Sequence, residues 1–233
     1  MRTNLNELQS FSFCPVFHRT EGSLPSSLSP TIITLKNLII YLYSRQLELG
    51  HKISWEEAQN IWNRSWWSIH DLDDRQARKD SNAVLLVFND IYQYYLADTR
   101  QVIAVNLPYL LHLQDHVVCG EIPLVLCESS HCQEITLVDI RQTISVNELT
   151  RDLSLRAASL MIEQNIGVRP TIIEVLCFGR ALTLSHTCLY PTAAFQEKSH
   201  LMISSLLQAV HKELLYPNRH ACPTCTLQRS CMI

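Results

Sequence analysis

The chain has 233 residues, of which 47% are hydrophobic and 18% charged, enough to bury one substantial core. A formal net charge of -3 gives no general attraction to nucleic acid, so any such contact has to rest on a local patch. Nine cysteines, an odd number without an export signal, argue against a disulfide scaffold and for reduced thiols or metal ligands. No segment approaches the roughly 20 apolar residues that span a bilayer, and Met1 to Ser10 is too polar for a signal peptide, so a cytoplasmic location is expected.

In chain order, a loop around Phe13-Cys14-Pro15 and a Ser/Pro-rich turn at Ser23 to Pro30 come first. Thr31 to Leu49 then places Leu35, Leu38, Ile39, Leu42 and Leu47 on one helical face, with Gly50 as a stop. Ser54-Trp55-Glu56-Glu57 is a capping box that opens a second helix carrying Ile61, Trp62 and Trp66, tryptophans that read as core rather than as a base-stacking platform. Asp71 to Lys79 is charged and loop-like, and a third helix runs from about Asn82 to Leu96.

From Gln101 the pattern turns β-rich. Val102 to Val105, Val117 to Cys127 and Glu134 to Ile140 read as a meander. A capping box at Ser145 to Glu148 starts a helix through about Asn165, stopped at Gly167 and followed by a strand at Thr171 to Phe178. A strand, helix, strand crossover of this kind belongs to a parallel or mixed sheet. A strand near Ala181 to Leu189 precedes a last helix from about Ala193 to Leu215. The expected fold is α/β, a central mixed sheet flanked by helices. One domain is expected over 1–233: an N-terminal loop region 1–30, a helical segment 31–97, an α/β core 98–215 and a cysteine-bearing tail 216–233.

Cys222, Cys225 and Cys231 form a tight run near one end, and Cys14 lies near the other. Thiolates at such spacings can converge on one soft metal centre. Zinc commonly draws on two Cys-x2-Cys knuckles, whereas this chain has one such pair and two outlying cysteines. Cys119, Cys127, Cys132, Cys177 and Cys188 fall mostly in apolar stretches and read as buried thiols.

The order of elements and the cysteine spacing, from Leu8-Gln9-Ser10-Phe11-Ser12-Phe13-Cys14-Pro15 to Cys231, resemble the RecB-like branch of the PD-(D/E)XK nuclease superfamily, in its iron-sulfur sub-branch. That sub-branch looks like the CRISPR-associated exonuclease of spacer acquisition and the AddB nuclease domain. The resemblance implies a 4Fe-4S cluster held by Cys14, Cys222, Cys225 and Cys231. Joining positions so far apart would stabilise the fold by on the order of 5 kcal/mol on the chain-entropy account used for disulfides.

The catalytic part of the pattern is broken. Active members carry Gly-x-x-Asp on one strand, an acidic residue, a spacer and Lys on the next, and Gln and Tyr on the following helix. Here the first element reads Gly120-Glu121-Ile122-Pro123, so a proline replaces the first metal-binding aspartate. Asp139 survives at the second acidic position, and Arg141 replaces the lysine, a planar fork in place of a compact ammonium. The helix positions read Ser154 and Ala158, and the upstream histidine would fall within Lys36 to Tyr41, where there is none. Strand alternation turns Glu121 away from the face required of position 123 unless a bulge re-aims it, and Glu134 is the other carboxylate within range.

Other constellations are weaker. His112, His116 and His131 lie around the meander without a matching carboxylate pair, and Arg75, Arg78 and Lys79 are offset by Asp71, Asp73, Asp74 and Asp80. With only five glycines, phosphate-binding and dinucleotide loops are excluded. The resulting expectation is an iron-sulfur, nuclease-like subunit of a larger nucleoprotein, defence or phage-type assembly that no longer cleaves, virion-associated if phage-encoded. It would have protein partners, with DNA as a further one, and no membrane. The alternative is an active exonuclease or endonuclease that uses Mg2+ or Mn2+ at Asp139 with a non-standard second carboxylate, Arg141 stabilising the scissile phosphate. A third is a cluster acting as a redox or iron sensor.

Overall fold

The computed structural model describes residues 2–14, 30–69, 75–128, 134–141, 145–178 and 183–214. Strand β1 (Arg2–Asn4) runs straight into helix α1 (Leu5–Phe13), so a strand and a helix occupy the first part of the region 1–30 expected to be loop, of which 15–29 lie outside the described residues. Helices α2 (Pro30–Leu49), α3 (Trp55–Ile69) and α4 (Arg75–Ala97) follow. Strands β2 (Gln101–Leu113), β3 (His116–Cys127) and β4 (Ile135–Arg141) form the meander. A short helix α5 (Val146–Leu149), helix α6 (Leu153–Ile166), strands β5 (Ile172–Phe178) and β6 (Leu184–Leu189), and helix α7 (Ala193–His211) complete the described chain.

The six strands form one mixed sheet in the order β1-β3-β4-β5-β6, with β2 paired to β3. β4 and β5 are parallel, as the crossover pattern predicts. Two apolar layers flank the sheet. Leu8 of α1, Leu155 and Ile162 of α6, and Ile203 and Leu207 of α7 cover one face. Leu35 and Leu38 of α2, Trp62 and Trp66 of α3, and Phe88 and Tyr95 of α4 cover the other. Trp62 stacks on Trp66 and on Phe88, ring centroids 5.1 and 5.7 Å apart, so the tryptophans are core. Among the described residues no helix is long and apolar enough to cross a membrane.

Three boundaries differ from the sequence reading. Arg75 to Lys79 belong to α4 rather than to a loop, while 70–74 lie outside the described residues. β2 runs on to Leu113, well past Val105, because Pro108 sits on a strand that among the described residues pairs with β3 alone, where a missing N–H breaks no second ladder. The helix expected from Ser145 to Asn165 is two helices, since Asp152 breaks it and caps α6 by accepting from the Leu155 N–H at 3.0 Å. Gly167 ends α6 at φ 76, a left-handed position that suits glycine.

Candidate functional site

The site is set by a gap in the pairing of β3. β2 pairs with β3 from end to end, so β1 and β4 share the other edge, β1 beside Val117 to Cys119 and β4 beside Leu124 to Cys127. Between them Gly120 to Pro123 have no strand on that side among the described residues. β1 leaves early because Asn4 turns the chain into α1: its side chain accepts from the Asn6 N–H at 2.9 Å, and Glu7 accepts from the Asn4 N–H at 3.0 Å. β1 is parallel to β3 and β4 antiparallel, so the C-terminal ends of β1 and β4 point at each other across the gap.

A cleft of about 240 Å³ opens there. Glu121, Pro123, Asp139, Ser154 and Ala158 line it, together with Asn6, Gln9 and Lys36. The positions carried over from the nuclease pattern thus converge, and so does Glu121. Alternation in β3 is broken beside it: Ile122 and Val125 face the α1/α6/α7 core, while Leu124 and Leu126 face the other one. β2 breaks at the same level, where Asn106 takes φ 48 between Val105 and Leu107. Strict two-residue parity therefore fails at this point, and Glu121 reaches the cleft that parity denied it. Glu134 does not, since it precedes β4 five positions from Asp139, about 16 Å away at the usual strand rise.

Arg141 lies behind the cleft lining, bonded to two residues that form it. Its Nε donates to Asp139 Oδ2 at 2.7 Å, its Nη2 to Ser154 Oγ at 2.6 Å and to Asp152 Oδ1 at 3.1 Å, and its Nη1 to Asp152 Oδ2. The other Asp139 oxygen accepts the Ile140 N–H at 2.8 Å. Burial alone would raise the Asp152 carboxyl, but the guanidinium, the Ser154 hydroxyl and the Leu155 N–H outweigh it and hold it below the ordinary carboxylate range. Burial also opposes the charge on Arg141, and the two aspartates more than restore it. Sequence reading assigned Ser154 no polar reach comparable to glutamine. The structure gives it a bond to the guanidinium. Asp152 was missed, although an aspartate three residues before a buried leucine is a recognisable cap signal.

Beside the cleft Tyr109 packs its hydroxyl against Gly120, where a Cβ would lie 2.5 Å from the phenol oxygen. That hydroxyl is buried without a hydrogen-bond partner among the described residues. Lys36, in the stretch searched for a histidine, is the one cation from α2 on the cleft lining.

The opposite face of the sheet holds a second polar cluster. Arg100 donates to Asp98 at 2.8 and 2.9 Å and to Glu174 Oε2 at 2.9 Å. Tyr43 donates to Asp98 at 2.8 Å and Tyr94 to Glu174 Oε1 at 2.8 Å. Burial raises both phenols and the carboxylates add to it, so both stay protonated as donors.

Cys14 ends α1 and is buried, and Cys127 and Cys177 are buried as expected. Cys119 and Cys188 are half-buried. Cys222, Cys225, Cys231, Cys132 and His131 lie outside the described residues, as do the side chains of Arg75, Arg78 and Lys79 and all of Asp71, Asp73 and Asp74. His112 is exposed and His116 half-buried at the β2–β3 turn.

A mixed six-stranded sheet between helical layers, with a cleft where two strand ends meet, defines an α/β protein. Among solved structures the chain is similar to a candidate exonuclease from Eubacterium rectale, with a TM-score of 0.55 at 11% identity, covering 99% of this chain and 88% of that one. It also matches SSO0001 with a TM-score of 0.40 at 9% identity, covering 97% and 94%. No family model and no curated protein matches it.

Proposed function

We propose that this protein is a nuclease-fold subunit that binds in a larger nucleoprotein, defence or phage-type assembly and does not cleave. The observation that carries this reading is the Arg141 clamp. A divalent cation at the cleft would be held by one or two carboxylates, and Asp139 has one oxygen on a guanidinium and the other on a backbone N–H, so the cation would have to compete with Arg141 for it. Pro123 offers no ligand opposite it. Arg141 thus stands against a Mg2+ or Mn2+ centre at Asp139, and the cleft is read as a stabilised, charge-paired wall beside a binding surface.

The same proposal includes a 4Fe-4S cluster on Cys14, Cys222, Cys225 and Cys231. Supporting it, Cys14 is buried at the end of α1, and α1 packs on α7, the helix that leads toward the other three cysteines. The cluster would supply a cross-link between the two ends of the fold rather than chemistry at the cleft.

A second reading is favoured by one observation: Glu121, Asp139 and Lys36 line the same cleft, two carboxylates and an ammonium from three different elements. In it Lys36 takes the role left open by Arg141, in a metal-dependent nuclease. Incubating the parent chain and Asp139→Ala with single- and double-stranded DNA in Mn2+ decides. No cleavage by either supports the binding subunit. Metal-dependent cleavage by the parent that Asp139→Ala and Lys36→Ala both abolish establishes the enzyme.

A further inference from the structure

Across the sheet from the cleft, one carboxylate oxygen of Glu174, one ring nitrogen of His186 and the sulfur of Cys188 all lie within 4.8 Å of one another. We propose that these three residues form a binding site for one divalent cation of the zinc class, with a fourth position open to solvent. The register builds it. Glu174 on β5 lies directly opposite Cys188 on β6, and His186, two residues earlier, lies opposite Leu176. Because side chains alternate along a strand, all three project to the face covered by α2 to α4.

The donor set selects the metal. One imidazole, one thiol and one carboxylate suit a borderline-soft cation, whereas Mg2+ and Ca2+ take oxygen ligands almost alone. Three protein ligands with a vacant position is the arrangement of zinc sites that hold a water or an incoming group.

The carboxylate is held in place in advance. Arg100 and Tyr94 fix one Glu174 oxygen each, and Glu174 is 5% exposed at its side chain. The Arg100 guanidinium makes two contacts to Asp98 and one to Glu174, the last on Oε2. Oε1 is left facing the Tyr94 hydroxyl and, at 3.2 Å, His186 Nδ1. A cation sharing Oε1, the ring and the sulfur would complete its coordination. Outer hydrogen bonds of this kind orient metal ligands and sharpen affinity.

Entry is open as well. β6 ends the sheet, and the His186 side chain is 64% exposed. A thiol ligates as the thiolate, so a cation binding at Cys188 releases a proton to solvent.

The competing account is a plain ion pair of protonated His186 with Glu174, in which the thiol takes no part. The test uses the full chain, purified with its other cysteines unchanged, so that their metal binding cancels in the comparison. Zn2+ uptake is measured by calorimetry, Co2+ uptake by its sulfur-to-metal absorption, and the thermal shift on adding Zn2+ in parallel, for the parent, His186→Ala, His186→Gln and Cys188→Ser. The expected result is one equivalent more in the parent than in each variant, a loss of at least tenfold in affinity at this site, and release of protons on binding. Equal uptake and equal thermal shift in parent and variants would overturn the site. So would loss in Cys188→Ser with full retention in both His186 variants, which would mark a lone thiol.

Discussion

Arg141 near the end of β4 and Asp152 at the cap of α6 form a two-pronged ion pair that ties the sheet to the helix beside the cleft. The same guanidinium holds Asp139, so one side chain serves two carboxylates and a hydroxyl. Bidentate contacts of this geometry belong to arginine and are not reproduced by lysine.

Arg141→Ala leaves two half-buried carboxylates without their cation and is expected to destabilise by about 3 kcal/mol, the lower end for a broken buried pair. Arg141→Lys keeps the charge but loses the fork, costing about 1 to 2 kcal/mol. Urea unfolding with unchanged slope measures both. Equal stability of Arg141→Ala and the parent would mean that the clamp is not formed in solution.

The pH response follows from Asp152. Its folded carboxyl titrates below its unfolded one, so it contributes stability that is present above the unfolded value of about 3.9 and disappears as acid carries the folded carboxyl through its titration. Asp98 is held low in the same sense: burial would raise it, but Arg100 and Tyr43 outweigh that. Stability is therefore expected to fall below about pH 4. Asp152→Asn, which still caps a helix, should be less stable at pH 7 and show a shallower acid decline. Thermal unfolding across pH reads the difference.

Glycine at 120 is required by its neighbour. Gly120→Ala would press a methyl onto the Tyr109 ring and is expected to cost about 1 to 3 kcal/mol by overpacking. Adding Tyr109→Leu should recover part of that loss, and a double-mutant cycle with no coupling would show that the two residues do not touch.

Much of this fold was legible from pattern. The helices at 30–49 and 55–69, the meander and the β4–α6–β5 crossover follow from apolar periodicity, caps and Gly167. What pattern missed has physical causes. β1 spans Arg2–Asn4, too short to show alternation, and exists because β3 offers an edge. β2 looked interrupted because Asn106 and Pro108 are breakers everywhere except at a bulged outer strand. At the site, Asp139, Arg141, Ser154 and Glu121 could be ranked by position alone. The approach of Lys36, from a helix roughly a hundred residues earlier, depends on tertiary packing that no local pattern encodes.

The cluster proposal predicts a colour and a stability. Anaerobically purified protein should be brown, with about four irons and four sulfides per chain. Cys14→Ser should bleach it and lower the melting temperature, since the chain ends would then no longer be cross-linked. Colourless parent protein loaded with zinc would remove the proposal.

The first strand has a consequence for synthesis. Thr3 takes Val118 as its partner, so more than a hundred further residues must leave the ribosome before β1 finds its place. Until then α1 lacks the sheet and the late helix α7 that it will pack on, and its apolar side waits in water. Strand β1 and helix α1 thus dock only after the strand and the late helix that receive them have been made.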